Sequence, residues 1–248
     1  MRIGVLLALA AWSLLVSSGR TAMTAQEHPL PTYTCYKTAD KITIDGKVEE
    51  PAWKQAVSFK DFVLADGVTK PTYATEFRAL WDDKTLYLCY VCEDPVIIAT
   101  MTKRDSGLYA EDCVEAFLST GGELRRYYEF EFSPRNVQMD ASVYPDPDGV
   151  NKIVDYSWNC AGIRTATHIA GAGKAQRWSI EIALPFSSIG RELKAPAIGE
   201  QWRANFYRLE YSTPKAEAIC WSPMWGPGNF HLRERFGHLV FAGPRGKE

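Results

Sequence analysis

The chain has 248 residues and a formal net charge of −2, because 28 Lys and Arg nearly balance 30 Asp and Glu. Apolar residues make up 46% and charged residues 23%, which excludes a disordered chain and a polytopic membrane protein. A nucleic-acid partner would require a clear basic excess, which is missing. Aromatic residues make up 12%, enough to suggest that some of them serve in binding.

Residues 1–25 have the layout of a secretory signal peptide. Met1 and Arg2 precede an apolar run over 3–16, and small polar residues follow at 17–19. A run of about 14 residues is short for a membrane span, which needs about 20. We therefore expect cleavage between Gly19 and Ala25, a secreted or periplasmic protein, and no stable membrane span afterwards. An uncleaved anchor is the alternative.

The rest of the chain is predicted to form short strands separated by turns. Alternating or continuous apolar patterns place strands at 41–46, 73–81, 86–91, 112–118, 128–133, 177–184, 202–211 and 238–241. The segment 86–91 is apolar on both faces, which indicates a central strand. Short helical turns are predicted at 49–56, around Trp53, and at 185–190.

Many short strands with almost no helix favour an all-β fold: an antiparallel β-sandwich, immunoglobulin- or jelly-roll-like, with one or two short helices. We find no internal repeat or linker, so one domain is predicted over 33–243. Five tryptophans are expected in the core: Trp53, Trp81, Trp158, Trp178 and Trp202.

The six cysteines all follow the predicted signal peptide. Cys89 and Cys92 form a CxxC pattern, but they lie in a predicted strand, where residues three apart point to opposite faces. They cannot bond each other from there. Buried thiols are therefore favoured over a redox or zinc motif.

Sequence motifs of common enzymes are missing: there is no HExxH, GxSxG, P-loop or GxGxxG. None of the four histidines has a partner at metal-ligand spacing, so no metal site is predicted, and His231 and His238 are interpreted as surface and turn residues. The acidic loop at 144–149 offers oxygens to a structural Ca²⁺ ion, although a plain turn is favoured.

One pair of carboxylates is brought together by the predicted pairing of strands. Asp112 and Glu115 lie in one strand and point to opposite faces. Glu115 and Glu131 lie in two strands that are predicted to form a hairpin, so both can share one face. Three interpretations remain open: solvated acids balanced by nearby arginines, acceptors for sugar hydroxyls, or catalytic acids.

Three segments together resemble a known family. They are 42–53 (ITIDGKVEEPAW), 77–87 (FRALWDDKTLY) followed by EDP at 93–95 and YAEDCVEAF at 109–117, and the region from CWS at 220–222 through Phe230 to RFGHL at 235–239. Their order and spacing are similar to those of the family 9 carbohydrate-binding modules, a DOMON-related β-sandwich family whose members are often attached to xylanases.

The resemblance implies a slot in which two aromatic rings sandwich a sugar, often the reducing end of a glycan. It places these rings at Tyr109 and Phe230, where tryptophan is usual in the family. Polar ligand contacts fall on Glu115, Glu131, Ser133, Asn205 and Tyr207. Trp225, near Phe230 in the sequence, is a further aromatic candidate.

We therefore predict an exported, non-catalytic, monomeric protein that binds an oligo- or polysaccharide of xylan or cellulose type without a cofactor. One alternative is a haem-binding electron-transfer module that uses methionines such as Met101, Met139 or Met224. Others are a glycoside hydrolase that uses Glu115 and Glu131, and a structural partner of a glycan-degrading complex.

Overall fold

The computed structural model describes residues 28–121, 124–148, 151–190, 193–226 and 229–246. The predicted signal peptide at 1–25 lies outside them. The described residues form thirteen strands: β1 (Thr32–Lys37), β2 (Val63–Leu64), β3 (Thr75–Trp81), β4 (Thr85–Glu93), β5 (Cys113–Ser119), β6 (Tyr127–Phe132), β7 (Gln138–Pro145), β8 (Lys152–Asp155), β9 (Arg164–Ala170), β10 (Arg177–Pro185), β11 (Gln201–Glu210), β12 (Glu217–Cys220) and β13 (Gly237–Pro244). Four 3₁₀ turns are described, at Pro51–Lys54, Leu108–Ala110, Gly173–Ala175 and Arg233–Arg235.

The strands form one continuous sheet in the order β8-β7-β6-β5-β11-β13-β1-β3-β4-β10-β9, and β12 and β2 extend from β11. Most neighbours are antiparallel, as predicted. β1 differs, because it lies between β13 and β3 and is parallel to both. The sheet is therefore mixed, and this N-terminal strand joins its two halves.

The two halves of the sheet pack face to face around the main core. Phe77 of β3 stacks on Phe206 of β11 with ring centroids 4.0 Å apart. Across the same interface, the Tyr90 hydroxyl of β4 donates to the carbonyl of Glu115 on β5 at 2.8 Å. Four of the five tryptophans predicted for the core are buried, and Trp158 is half-buried against Tyr128.

The second face of β5 is also buried. Val114, Ala116 and Leu118 face the main core, as their alternation predicts. Phe117 belongs instead to a separate apolar cluster with Tyr127, Tyr207 and Phe236. Loops, β12 and the C-terminal segment cover this face.

Local predictions fail where a side chain from elsewhere reshapes the backbone. Residues 41–46 form no strand, because the backbone N–H groups of Asp45 and Gly46 donate to the Glu181 carboxylate. Gly46 has φ +85°, and a Cβ there would lie 2.5 Å from the backbone of Thr167.

The two predicted helical turns have different outcomes. Residues 186–190 form a turn rather than the predicted helix. The helical turn around Trp53 is confirmed as the 3₁₀ turn Pro51–Lys54.

The six cysteines are free and buried, which agrees with the buried thiols predicted for Cys89 and Cys92. Cys89 packs in a small cluster on one face of β4, whereas Cys92 packs in the main core on the other. Among the described residues, no helix is long and apolar enough to span a membrane.

Candidate functional site

A cavity of about 490 Å³ lies against the face of β5 and β6 that points away from the main core. Its volume is within the range of small-ligand sites. Fourteen residues line it: Ala65, Tyr109, Glu115, Phe117, Glu129, Glu131, Lys152, Tyr156, Leu209, Ala218, Met224, Asn229, Phe230 and His231.

The floor of the cavity is acidic because of strand periodicity and register. Glu115 on β5 is directly opposite Glu131 on β6, and Phe117 is opposite Glu129. Residues two apart on a strand share a face, so all three glutamates point to one side. One carboxylate oxygen of each lies within 4.8 Å of one oxygen of the other two, and all three residues are buried.

Burial raises the pKa of each of these glutamates, because a dry environment disfavours the charged form. It raises the pKa of Glu129 to about 7, against an opposing effect of Lys152. The pKa of Glu115 is raised well above its usual value by burial and then by the charges of Glu131 and Glu129. The pKa of Glu131 is also raised by burial, although backbone N–H groups oppose the shift.

Glu131 also fixes one wall of the cavity. Its Oε2 accepts a hydrogen bond from the Tyr109 backbone N–H at 3.0 Å, within the 3₁₀ turn Leu108–Ala110. The Tyr211 hydroxyl donates to the Tyr109 carbonyl at 2.7 Å. These two bonds hold the backbone of Tyr109 while its side chain remains 56% exposed, which suits a ring at the mouth of the cavity.

Phe230 lies in another wall and is supported from behind. Its ring stacks on Tyr207 with centroids 3.9 Å apart and an interplanar angle of 8°. The Tyr207 hydroxyl donates to the Phe230 carbonyl at 2.9 Å. Tyr207 is itself buried, so it positions Phe230 and does not line the cavity.

His231 lies beside the glutamates but does not neutralise them. Its Nδ1 is hydrogen-bonded to the Tyr127 hydroxyl at 2.7 Å, and its Nε2 is 3.8 Å from Glu129 Oε1. Burial, with a contribution from Lys152, lowers the pKa of His231 to about 4. The imidazole is therefore neutral at physiological pH.

Four of the eight residues expected at the site line this cavity: Tyr109, Glu115, Glu131 and Phe230. Ser133 instead closes a turn, where its hydroxyl accepts the N–H groups of Arg135 and Val137. Asn205 is buried and joins β11 to Ser222, by donating to its carbonyl at 2.8 Å and accepting its N–H at 3.0 Å. Trp225 stacks on His28 at 3.6 Å and covers Gly67.

Glu129, Lys152, Tyr156 and His231 also line the cavity, and the sequence analysis did not assign them to the site. Glu129 could have been found, because it alternates in phase with Glu131. Lys152 and Tyr156 come from β8 and the loop after it, a region with no strand pattern in the sequence. His231 was interpreted as a surface or turn residue; it does lie in a turn, but its ring is mostly buried and lines the cavity.

The methionines considered for haem binding and the acidic loop considered for Ca²⁺ lie outside the lining of this cavity, except for Met224. Met101 and Met139 belong to one apolar cluster and Met224 to another, so the three do not converge. In the acidic loop at 144–149, the Asp146 carboxylate accepts from the Asn151 side chain at 3.1 Å. Position 149 of that loop lies outside the described residues.

The fold and the cavity place this chain among the β-sandwich binding modules. A model of the family described as "Carbohydrate family 9 binding domain-like" matches residues 44–243. The chain therefore belongs to this family, and the resemblance seen in the sequence is confirmed.

Curated relatives match with modest identity. An "Extracellular protein" of Arthroderma benhamiae is 27% identical over 207 residues, which cover 76% of this chain and 86% of that protein. "Endo-1,4-beta-xylanase A" of Thermotoga maritima is 29% identical over 86 residues, which cover 35% of this chain but only 8% of the xylanase. This chain thus matches a small part of the xylanase.

Solved structures support the fold. A crystal structure of a Bacteroides uniformis protein superposes with a TM-score of 0.67 at 17% identity, and the match covers 85% of this chain and 98% of that one. A family 9 carbohydrate-binding module of Caldicellulosiruptor kristjanssonii, in complex with cellotriose, superposes with a TM-score of 0.58 at 18% identity. That match covers 86% of this chain and 94% of the module.

Proposed function

We propose that this protein binds a glycan in the cavity on β5 and β6, with a sugar ring held against Tyr109 and Phe230. The observation that carries the proposal is the meeting of two aromatic side chains and three carboxylates at one cavity in a family 9 fold. Aromatic faces bury the C–H surfaces of a pyranose, and carboxylates accept its hydroxyl groups.

The expected affinity is modest. Burying about 100 Å² of apolar surface contributes roughly 2–3 kcal/mol before the costs of association. Dissociation constants in about the micromolar to millimolar range would follow. Tyr and Phe offer smaller faces than Trp, so binding is expected towards the weak end of that range.

The proposal includes the end of the glycan that is bound and the place where the protein acts. Cellotriose and glucose are the ligands in the solved family 9 complexes, and the xylanases match over part of this chain. A reducing end of a xylan- or cellulose-type glycan is therefore the starting hypothesis. An exported protein agrees with the signal-like residues 1–25 and with the extracellular relative.

The proposed role is binding without hydrolysis. Glycosidases place two carboxyl groups on either side of the bond they cleave. Glu115 and Glu131 are direct cross-strand neighbours on one face of one sheet, so they approach a ligand from the same side. Release of reducing sugar from xylan or cellulose, lost in Glu115→Gln, would contradict this part of the proposal.

Calorimetric titration tests the proposal. Xylo- and cello-oligosaccharides are compared with their borohydride-reduced forms, and heat that is lost on reduction identifies a reducing-end binder. Tyr109→Ala and Phe230→Ala are each expected to weaken binding about tenfold or more, without loss of the folded state.

Tyr73→Ala is the matched control, because Tyr73 is a partly exposed tyrosine that does not line the cavity. Unchanged affinity in both cavity variants would contradict the site. The absence of heat with any glycan tested, charged or neutral, would contradict the function.

A further inference from the structure

The floor of the cavity holds more carboxyl groups than a neutral sugar requires. Glu115, Glu129 and Glu131 are 2%, 5% and 1% exposed. Hydroxyl groups of a sugar need acceptors, but one carboxylate or an amide supplies them. Three carboxylates within 4.8 Å at the base of a half-apolar cavity suit a ligand that brings a positive charge.

The other two acidic clusters of the described residues have partners within the fold for most of their carboxylates. Asp94, Asp112 and Glu210 surround the buried guanidinium of Arg208, which forms ion pairs with Glu210 and with Asp94. Glu181, in the cluster with Asp45 and Glu50, accepts from the Trp53 indole at 2.7 Å and from two backbone N–H groups. Glu50 Oε2 in the second cluster is buried without a hydrogen-bond partner among the described residues, as one oxygen of Glu129 is, but Glu50 does not line the cavity.

The glutamates of the cavity are compensated less fully: Lys152 acts on Glu129 from across the cavity, and no Lys or Arg of the described residues forms an ion pair with any of the three. Glu129 Oε2 is buried and accepts no hydrogen bond from any residue that the structure describes. Its other oxygen is 3.8 Å from Nε2 of the neutral His231 ring. Glu115 has a weak contact from the Cys113 thiol at 3.8 Å, and Glu131 has the backbone N–H of Tyr109. A buried carboxylate oxygen that lines a cavity without a partner indicates an absent donor.

We propose that the preferred ligand of this cavity is a sugar with a free amino group, whose ammonium is held by Glu115, Glu129 and Glu131 beneath the rings of Tyr109 and Phe230. This inference rests on the proposed glycan-binding function and names the class of glycan. An ammonium has three donors for the three carboxylates. Aromatic faces attract a cation and also pack against the C–H surface of the sugar ring.

The titratable groups that face the glutamates are Lys152 from β8, His231 before the last 3₁₀ turn, Cys113 from β5, and the phenols of Tyr109, Tyr127 and Tyr156. Because burial raises the pKa values of the three glutamates, the free cavity holds protons at weakly acidic pH. An ammonium ligand displaces those protons, whereas a neutral sugar does not.

The experiment is calorimetric titration at about pH 6, where the amine of the ligand is protonated, in two buffers with different ionisation enthalpies. The probes are glucosamine and its fully deacetylated β-1,4 oligomers, N-acetylglucosamine, glucose with cello-oligosaccharides, and CaCl₂ alone. The amino sugars are expected to bind at least about tenfold more tightly than their neutral counterparts, with release of protons.

Glu129→Gln keeps the shape of the side chain and removes its charge, so it should reduce the preference for amino sugars to threefold or less. Asp83→Asn is the control for net charge, because it removes the same charge from a side chain that is 81% exposed and outside the cavity. It should leave the preference unchanged. The comparison of ligands on the unaltered protein remains decisive if a variant fails to fold.

The outcomes separate this inference from the function on which it rests. Equal binding of glucosamine and glucose, without proton release, would overturn the inference and leave the glycan-binding function standing. No binding of any sugar would overturn both. Binding of Ca²⁺ alone that blocks glucosamine would show that the glutamates hold a metal ion, and would also overturn the inference.

Discussion

Burial of Glu129 changes the acid–base behaviour of the protein as well as its capacity to bind. Its pKa is raised from 4.5 to about 7 by desolvation. His231, its neighbour, shifts in the opposite direction, from 6.5 to about 4. In the folded protein, both groups are therefore more often neutral near pH 5 to 6 than they are in the unfolded chain.

We predict that the contribution of Glu129 to the free energy of unfolding of the free protein falls as pH rises from about 4.5 to about 7. In this window the folded state holds a proton that the unfolded chain has released, so the free energy of unfolding falls with pH. Glu129→Gln should remove this contribution, which is up to about 3 kcal/mol.

Urea unfolding of the unaltered protein and of Glu129→Gln, measured across this pH range, checks the prediction. The difference between the two proteins is the informative quantity, because the His231 contribution has the opposite sign and is common to both. A difference that does not change with pH would contradict the assigned burial.

At the scale of elements, the β5–β6 hairpin connects the acidic floor to the aromatic wall. Register places Glu131 opposite Glu115, and the same Glu131 caps the 3₁₀ turn that carries Tyr109. One residue thus sets the position of a ring on another element. The turn itself has no side-chain cap at its first position, which makes this tertiary bond important.

We predict that Glu131→Ala speeds hydrogen exchange of the Tyr109 amide by about fivefold or more and weakens glycan binding, because the amide loses its acceptor. Glu131→Gln retains an acceptor oxygen and should keep slow exchange. Exchange measured by NMR distinguishes positioning of Tyr109 from a direct contact with the ligand. Equal exchange rates in both variants would contradict the positioning role.

At the scale of the whole molecule, β1 joins the two halves of the sheet by pairing with a strand of each. It pairs with β13 on one side and with β3 on the other. Tyr33 of this strand accepts the N–H of Ala79 at 2.7 Å and packs against Phe77 and Phe206. The core can therefore hold the fold without covalent links, which agrees with the six free thiols.

We predict that the native protein does not react with a thiol reagent at neutral pH and that six thiols react after denaturation. Burial raises the pKa of the cysteines, to about 12 for Cys92, so little thiolate is present or accessible. Titration with Ellman's reagent, with and without guanidinium chloride, measures both numbers. Fewer than six thiols after denaturation would indicate a disulfide.

The sequence predicted those strands whose side chains alternate between two distinct environments. β3, β5, β6 and β10 are examples, and their inward residues form the main core. It did not predict β1, β2, β7, β8, β9 or β12, which show no clear local alternation. β8 and β9 are the two end strands of the sheet and contain no fully buried residue. The parallel pairing of β1 has no local signal, because parallel neighbours are far apart in the chain.

Half of the predicted site residues line the cavity, for a related reason. Glu115 and Glu131 follow from alternation and a hairpin, and Tyr109 and Phe230 follow from the family resemblance. Asn205 and Ser133 have residue types suited to a sugar, but backbone groups already occupy their hydrogen bonds. A one-dimensional pattern gives the residue type and face, and it does not show which polar atoms are already satisfied.

The sequence by itself determined the all-β class, the family, the shared face of Glu115 and Glu131, and the buried thiols of Cys89 and Cys92, because these depend on periodicity and on the spacing of residues along the chain. Only the tertiary structure decided that this face is covered, that Glu129 and a neutral His231 line the cavity, and that Glu131 holds the backbone of Tyr109. Desolvation depends on atoms brought from distant elements, so the charge state of the cavity is a property of the assembled fold.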